Sequence, residues 1–480
     1  MTLKFRHNSA SSLKVTTAIV QKAPSPRNLL QDDIVPTLRS MTIPMIIGMI
    51  MLMTFSLVDT FFVSMLGTSE LAAISFTFPV TFTVISLNIG LGIGTAAIIG
   101  RYLGSGEATH AKAIASGALM LSVILVGLLC VIGFLLIKPV FTAMGATEDL
   151  MPFIYDYMSV WFISGILLAV PMVGNSVLRA SGDTKTPSII MATGGGINAI
   201  LDPILIFGFG PIEGYGIKGA AIATCIAWAV CVIWIIYLLA YKRQLIEPKL
   251  LNFKDFKQAA RGVLSIGIPA AGANMLTPIA GGVLTAVVAS YGAQAVAAWG
   301  VGNRLESLAS IVVLALSMSL PPFISQNFGA NQFERIKEAY QISLKFVLTW
   351  QLLMFVLLAL CSGFIANIFA KEAQVAEYIQ LFLLIVPLGY GLQGIIILTN
   401  SSLNALHKPM AALVLSIIRL FVCYVPIAYL GSYFFGLYGL FWGCVVANFF
   451  TAAMSYYWFN KEINQQIKLS QQQKEILLNE

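Results

Sequence analysis

Long apolar stretches, separated by short polar segments, occupy most of the chain between residues 40 and 460. Twelve such stretches lie near 40–65, 71–103, 113–137, 152–178, 187–208, 216–241, 262–290, 294–328, 333–368, 376–405, 409–434 and 437–460. Each is long enough to cross the roughly 30 Å apolar core of a bilayer as one helix. Several exceed that length, so those helices are expected to tilt or to project beyond the bilayer. The pattern predicts an all-α integral membrane protein with twelve transmembrane helices.

The composition narrows the class of protein. Hydrophobic residues make up 58% of the 480 residues and charged residues only 10%, against about 25% charged in soluble domains. The six cysteines fall inside apolar stretches and are interpreted as packing residues, not disulfides or metal ligands. No Walker lysine motif is present. We therefore expect neither an enzyme nor a cofactor, and a lipid bilayer rather than nucleic acid as the partner of this chain with net charge +7.

Positive charge in the loops predicts the orientation in the membrane. One side carries most of the basic residues: Lys4, Arg6, Lys14, Lys22, Arg27, Arg39, Arg101, Lys112, Arg179, Lys185, Lys242, Arg243, Lys249, Lys254, Lys257, Arg261, Arg335, Lys337, Lys408, Lys461, Lys468 and Lys474. The opposite side has only Lys138, Lys218 and Lys371. By the positive-inside rule both termini are cytoplasmic. The expected location is a bacterial-type plasma (inner) membrane, crossed many times.

The two halves of the chain repeat each other. A polar linker at 242–261 separates a six-helix lobe at 39–241 from a second at 262–460, and polar tails at 1–38 and 461–480 flank them. At a constant offset of about 225 residues, Pro44 matches Pro269 and Gly104 matches Gly329. An even number of helices per half makes the repeat parallel, and transporters built in this way place their substrate cavity between the halves.

Several short motifs occur in a fixed order along these spans. They are Val58-Asp59-Thr60, Asn175–Asp183 (NSVLRASGD), Asn198–Pro203 (NAILDP), Gly219–Thr224 (GAAIAT) and Arg304–Ser307 (RLES). In this arrangement the chain resembles the multidrug and toxic compound extrusion (MATE) family over nearly all of residues 36–460. Acids in the first and fifth helices are typical of its DinF-like branch. The resemblance implies a secondary multidrug exporter with an ion site formed by Asp59, Asn198, Asp202 and Thr224.

Asp59 and Asp202 are the principal candidates for ion coupling. Asp59 is the only charged residue of its span, and an acid inside such a span costs about 2.5–3.5 kcal/mol on insertion scales. Both acids lie about six residues before the outer ends of their helices, so they have similar depth. Two carboxylates in one low-dielectric site cannot easily both be ionised, which makes the pair a proton acceptor. The alternative is that each acid only organises a local hydrogen-bond network.

Asn198 and Thr224 extend this set. Asn198 precedes Asp202 by four residues and shares its helix face, while Thr224 lies at a similar depth in the sixth helix. Carboxylate, amide and hydroxyl oxygens also suit a hard cation such as Na⁺, so coupling to H⁺ and coupling to Na⁺ both stay open. Alternatively, Asn198 and Thr224 are polar packing residues between helices.

The fourth span supplies three further candidates. Tyr157 and Asn175 match positions of the resembling family; Tyr157 is placed to hydrogen-bond to Asp59, or else belongs to an interfacial aromatic belt. Asn175 lies much deeper than the two acids and is assigned, with Met172 and Asp59, to substrate binding.

Arg304, Glu306 and Arg419 are buried charges of the second half. We interpret them as a structural ion pair in which Arg419 neutralises Glu306, because a lone charge in the membrane is costly. Pro44 should bend the first helix and is the candidate hinge. Its repeat partner Pro269 has no acid above it, which supports the simpler view that Pro44 only shapes the helix.

These features together predict an antiporter that exchanges H⁺ or Na⁺ for drug-like, mostly cationic compounds by alternating access, acting as a monomer. A flippase for lipids or lipid-linked sugars is the alternative, but it would need more helices and a strongly cationic central cavity. A channel or scaffold is the third alternative. It fits less well, because the acid at position 59 is not repeated in the second half, where the corresponding residue is Leu284.

Overall fold

The computed structural model describes residues 28–247, 253–370 and 372–479. The helices of the first half are α1 (Ile34–Ser64), α2 (Thr68–Gly104), α3 (Ala108–Leu135), α4 (Ile137–Ala143), α5 (Met151–Ala180), α6 (Lys185–Phe207) and α7 (Ile217–Tyr237). Those of the second half are α8 (Phe253–Ala289), α9 (Ala293–Ala309), α10 (Ile311–Gly329), α11 (Phe333–Leu360), α12 (Ser362–Phe369), α13 (Ala373–Ile385), α14 (Tyr390–Ala405), α15 (Pro409–Ile417) and α16 (Val425–Asn479). We call α1–α7 the N-lobe and α8–α16 the C-lobe.

Twelve membrane crossings can be assigned to these helices, as the apolar pattern predicts. α9 and α10 together make one crossing, and α13 and α14 another. The apolar segment Pro409–Gln472 contains two, because the helical path breaks at Phe435 and Gly436, where Gly436 has a φ of 63°. Between α6 and α7 lies a short antiparallel pair, β1 (Gly208–Phe209) and β2 (Ile212–Glu213). The predicted fold class is confirmed.

The polar segments that flank the C-lobe are more helical than the sequence suggests. α8 begins inside the predicted linker 242–261, and α16 continues through most of the predicted tail 461–480. Both extensions are amphipathic: Ala259 and Ile463 are fully buried beside exposed polar neighbours. Residues 1–27 of the predicted N-terminal tail, residues 248–252 with Lys249, and Lys371 lie outside the described residues.

The two lobes differ in backbone regularity at matching positions. In the C-lobe the helical path is interrupted at Ser310 between α9 and α10, at the 3₁₀ turn Val386–Gly389, and at the π-helical segment Ile418–Tyr424. The matching N-lobe positions, 225 residues earlier, are 85, 161–164 and 193–199. All of them lie inside the uninterrupted helices α2, α5 and α6. The repeat is therefore structurally asymmetric in the middle of the C-lobe.

The lobes share their hydrophobic cores at one end only. We call the end where α1 begins and α16 finishes the terminal face. Near it, Leu38 and Met41 of α1 belong to the C-lobe core, and Val263 and Ile266 of α8 belong to the N-lobe core. At the opposite end the two remaining core clusters each contain residues of a single lobe. The lobes are thus joined at the terminal face and packed separately away from it.

Glycines allow the close approach at this junction. A Cβ at Gly104 would overlap the carbonyl oxygen of Gln326, and a Cβ at Gly329 would overlap that of Arg101. Gly104 and Gly329 are repeat partners, as are Arg101 and Gln326, so this crossing of α2 and α10 lies on the pseudo-two-fold axis. It brings backbone against backbone with no side chain between.

A second interlobe contact lies beside Pro44. The hydroxyl groups of Thr42 on α1 and Ser319 on α10 are hydrogen-bonded at 2.8 Å. Their repeat partners are Gly267 and Gly94, which instead form a close contact between α8 and α2. Pro44 itself lies inside α1, and the helix continues through it. The candidate hinge is therefore one half-turn from a contact that holds the lobes together.

Candidate ion and substrate site

Asp59 and Asp202 meet at the packed interface of α1 and α6. Each lies five residues before the end of its helix, Ser64 or Phe207, which is about 8 Å along the axis from the face opposite the terminal face. Their carboxyl groups are within hydrogen-bonding reach of each other. Asp202 is fully buried and Asp59 half-buried. The structure therefore places the two acids in one site that opens on the side of Asp59.

Asn198 connects this carboxyl pair to α7. Its Nδ2 donates to Oδ1 of Asp202 at 3.2 Å and to Oγ1 of Thr224 at 3.3 Å. The Thr224 hydroxyl in turn donates to the Ala220 carbonyl at 3.1 Å. The four side chains that the sequence groups together thus form one continuous polar cluster across three helices.

Each acid keeps one buried oxygen that no donor among the described residues reaches, Oδ1 of Asp59 and Oδ2 of Asp202. A buried acceptor without a donor is costly, by about 1–3 kcal/mol. One proton added to the pair would let one carboxyl group donate to the other and remove part of that cost. The geometry is therefore suited to taking up and releasing a proton.

Tyr157 of α5 lies beside the pair. Its hydroxyl is close enough to feel the charge of both Asp59 and Asp202, and its ring packs against the core formed by Val63 and Ile206. Within the described residues no hydrogen bond joins it to Asp59, so the predicted bond is absent from this conformation. Tyr157 therefore lies beside the polar cluster but is not hydrogen-bonded to Asp59.

The structure separates the other substrate candidates from Asp59. Asn175 lies five residues before the terminal end of α5, far from the acids, and is only 4% exposed. Its Oδ1 has no hydrogen-bond partner in the described part of the chain. Met172, one turn away, is half-buried near Gly92 of α2. Depth alone prevents these residues and Asp59 from forming one cluster in this conformation.

The predicted ion pair of the C-lobe does not form as a contact. Among the described residues no ion pair joins Glu306 to Arg419 or Arg304. Glu306 instead accepts a hydrogen bond at 3.0 Å from Nε2 of Gln393, a residue that the sequence reasoning missed. Arg419 still interacts electrostatically with Glu306, but its Nε is buried without an acceptor. Arg419 lies within the π-helical segment Ile418–Tyr424, whose altered helix rotation is not predicted by depth along the helix.

Comparison with known proteins identifies the family. The MatE family model matches residues 44–204 and again 269–430. These two segments begin 225 residues apart, which is the offset of the internal repeat. The chain belongs to the MATE family. This places it among membrane transporters and not enzymes.

Individual MATE relatives differ in what their names say they carry. The chain is 43% identical over 429 residues to the "FAD transporter" of Shewanella oneidensis, a match that covers 89% of this chain and 95% of that protein. It is 27% identical over 372 residues to the "Probable multidrug resistance protein YoeA" of Bacillus subtilis, covering 77% and 80%. The Vibrio cholerae MATE transporter VcmN in the bent form superposes with a TM-score of 0.86 at 36% identity, covering 90% and 98%.

A double-mutant cycle on this MATE chain tests whether the two acids act as one unit. We expect Asp59→Asn and Asp202→Asn each to lower ion-driven transport, and the double variant to be little worse than either alone. The reason is that residues in direct contact couple by about 0.5–3 kcal/mol, whereas distant sites add. The measurement is the initial rate of gradient-driven transport in proteoliposomes. Additive losses would show that the two carboxyl groups work independently.

Proposed function

We propose that this protein is an ion-coupled exporter of small organic molecules, in which Asp59 and Asp202 carry the coupling ion. The observation that supports it most is the meeting of two carboxyl groups within otherwise apolar helices, linked through Asn198 to Thr224. Intramembrane acids are rarely retained without a transport role or a charged partner, and no cation among the described residues forms an ion pair with either one.

The orientation is part of the proposal. Basic residues of the described chain cluster at the terminal face, which we therefore assign to the cytoplasm of a bacterial-type cell, with both termini inside; examples are Arg101, Lys112, Arg179, Lys185 and Arg243. The conformation is then closed toward the cytoplasm and open outward. An ion reaches Asp59 from outside, substrate leaves, and the lobes rock to expose the cavity inward. The chain is proposed to work as a monomer.

The hydrogen-bond donors of the polar cluster favour coupling to protons over coupling to sodium. The Asn198 amide group presents its Nδ2 donor toward both Asp202 and Thr224, and an N–H donor at that position would repel a cation. A sodium ion would need the amide oxygen turned inward. A proton needs no rearrangement, because it only has to bridge the two facing carboxyl groups.

The substrate has two candidate classes. Organic cations fit the acidic N-lobe site, since a cation and a proton would compete for Asp59, and that competition would couple their movements. A flavin dinucleotide is the second candidate, and the 43% identity to the Shewanella oneidensis FAD transporter over 89% of this chain favours it.

The test is transport from inverted membrane vesicles or proteoliposomes under an imposed gradient. We expect uptake of a cationic dye or of FAD when the lumen is acidic, abolished by a protonophore, and no comparable uptake under a sodium gradient alone. Transport that follows the sodium gradient would reject proton coupling. Transport that ignores both gradients would reject ion-coupled export.

Pro44 provides a prediction about the conformational cycle. Because proline lacks the amide hydrogen and clashes with the carbonyl four residues earlier, α1 is locally weak near the Thr42–Ser319 contact. We expect Pro44→Ala to lower turnover several-fold while the pH at which Asp59 takes up its proton stays the same. Turnover and the pH profile of substrate release measure the two effects separately. Wild-type turnover in the variant would mean that Pro44 only shapes the helix.

A further inference from the structure

We propose that Phe55 is a positioning residue of the ion site: its ring, seated on the bare backbone of Gly195, sets the gap between the two carboxyl groups. This inference rests on the proposed coupling role of the acids and adds the side chain that holds them within reach of each other. It concerns the packing of α1 against α6 directly below the carboxyl pair, on the side of the terminal face.

Phe55 and Gly195 lie on the same interface as the two acids. Phe55 precedes Asp59 by four residues, and Gly195 precedes Asp202 by seven, so each lies on the acid-bearing face of its helix. A Cβ built at Gly195 would overlap the ring of Phe55, and one built at Gly196 would lie 3.8 Å from Cζ of that ring. The ring therefore rests on the backbone of α6 one turn from Asp59, about 6 Å along the axis.

The contact between the ring and this backbone acts as a spacer. Atoms in contact pack at about 3.5–4.0 Å, so with no side chain at Gly195 the two helices are separated at this level by the width of one aromatic ring. A methyl group at Gly195 would displace the ring, and α1 would move away from α6 with it. Asp59, on the next turn of the same face, would then move away from Asp202.

The contacts on either side of the acids indicate why this one decides the gap. Toward the terminal face, a Cβ at Gly48 would lie 3.0 Å from Cβ of Ser188, so α1 and α6 are already in close contact there. Toward the opposite face, Phe62 and Phe207 meet edge to face with ring centroids 6.3 Å apart, and Phe207 is 44% exposed. That outer aromatic pair has room to adjust, whereas the ring of Phe55 is confined between two helix backbones.

The C-lobe repeat has neither this spacer nor the acids. At the offset of 225 residues, Phe55 corresponds to Ala280 and Gly195 to Leu420, so the large and the small side chain exchange helices. The two acids correspond to aliphatic residues there. An aromatic ring on glycine thus occurs at this position in the lobe that has a carboxyl pair to align, and not in the lobe that has none.

Gly195→Ala is the test variant, because it adds one methyl group under the ring and leaves every polar atom of the site in place. The measurement is the pH at which the carboxyl pair of the purified full chain takes up its proton, followed by the infrared band of the protonated carboxyl group and assigned with Asp59→Asn. The midpoint should move to lower pH by about one unit, because separated carboxyl groups no longer share a proton. Proton-driven transport in proteoliposomes should fall by about tenfold, the equivalent of one pH unit in proton affinity.

Rescue by a second substitution separates positioning from simple damage. Adding Phe55→Leu to Gly195→Ala removes from the ring side roughly the volume that the methyl group adds, and volume-conserving exchanges are the best tolerated. The midpoint of the double variant should return to that of the wild type, and transport to within about threefold of it. Phe55→Trp widens the gap from the other side and should move the midpoint in the same direction as Gly195→Ala, so it replaces that variant if the alanine protein does not fold.

Gly133→Ala is the matched control. A Cβ at Gly133 of α3 would overlap the ring of Phe162 on α5, so the same packing of a ring on glycine occurs in the N-lobe on an interface without the acids. We expect Gly133→Ala to lower the unfolding temperature, as Gly195→Ala does, and to leave the proton-uptake midpoint unchanged.

Two results would overturn the assignment. If Gly195→Ala and Gly133→Ala lower the unfolding temperature alike and neither moves the midpoint, Phe55 has a structural role only. If the midpoint moves but Phe55→Leu does not restore it, the ring does not set the gap.

The infrared titration needs neither substrate nor gradient, so it separates this inference from the proposed function. Wild-type protein that titrates as expected, with the midpoint moved in Gly195→Ala, but transports nothing under any gradient would refute ion-coupled export and leave the positioning of the carboxyl pair in place. Gradient-driven transport by the wild type, with a midpoint unmoved in Gly195→Ala, would reject the role of Phe55 and leave ion-coupled export in place.

Discussion

Asp59→Asn is expected to reduce gradient-driven transport by about 100-fold or more. Asparagine keeps the size of the side chain and can still hydrogen-bond to Asp202, but it cannot carry a proton or a charge, so the link between ion entry and substrate exit is lost. Binding of an organic cation without a gradient should weaken as well, because the proposed cation site includes the carboxylate of Asp59. The measurement is the initial rate of substrate accumulation in proteoliposomes under an imposed pH gradient.

Asp156→Asn is the control for this variant. Asp156 is an exposed acid on α5, one residue from Tyr157 and at the same end of the N-lobe, so its removal subtracts an equal charge without touching the buried pair. We expect transport near the wild-type rate. If Asp59→Asn retains wild-type gradient-driven transport, the coupling ion does not pass through this site.

Gly104→Val is expected to have the second largest effect. A branched side chain at this position would overlap the backbone of Gln326 at the crossing of α2 and α10, and neither backbone can move without separating the lobes. Overpacking of this kind costs about 1–3 kcal/mol or more. The closed terminal face should be destabilised, with transport lowered by about tenfold and the thermal unfolding temperature lowered. Gly329→Val should behave in the same way because the crossing is pseudo-symmetric.

Gly127→Val tests whether the effect belongs to the crossing. Gly127 lies inside α3, and a Cβ built there would meet no atom within 4 Å. The substitution should leave both transport and unfolding temperature close to those of the wild type. Equal damage from Gly104→Val and Gly127→Val would point to a general intolerance of valine in these helices and not to interlobe contact.

The N-lobe cluster was predictable because its signals are local. Asp59 and Asp202 are isolated acids at equal depth in apolar spans, and the spacing of four residues places Asn198 on the same helix face as Asp202. Position along an apolar span and the helical repeat together determine which residues lie at the same depth and on the same helix face. They were sufficient here because α1 and α6 are regular along their whole length.

The C-lobe was not predictable by the same reasoning. The sequence around Ser310 contains no glycine or proline to announce the break, whereas Pro387 and Gly389 lie in the 3₁₀ turn and Pro426 follows the π-helical segment by two residues. Each irregularity rotates the residues that follow it about the helix axis. Glu306 therefore meets Gln393 and not Arg419, although the sequence placed Glu306 and Arg419 deep in the same half of the chain. The rotation of a helix is decided by packing, which the single sequence does not record.

In the proposed rocking motion, the crossing at Gly104 would also determine how far the opposite ends of the lobes can move. α2 has 37 residues, so its far end lies about 55 Å from this point. The lobes also meet through side chains near this face, such as the hydrogen-bonded Thr42 and Ser319, so this end of the molecule is the pivot. A rigid-body rotation of about 15° would move the far ends of the lobes by about 14 Å relative to each other. Over this length, a slight tilt at the terminal face would separate the far ends of the lobes by more than the spacing of two packed helices.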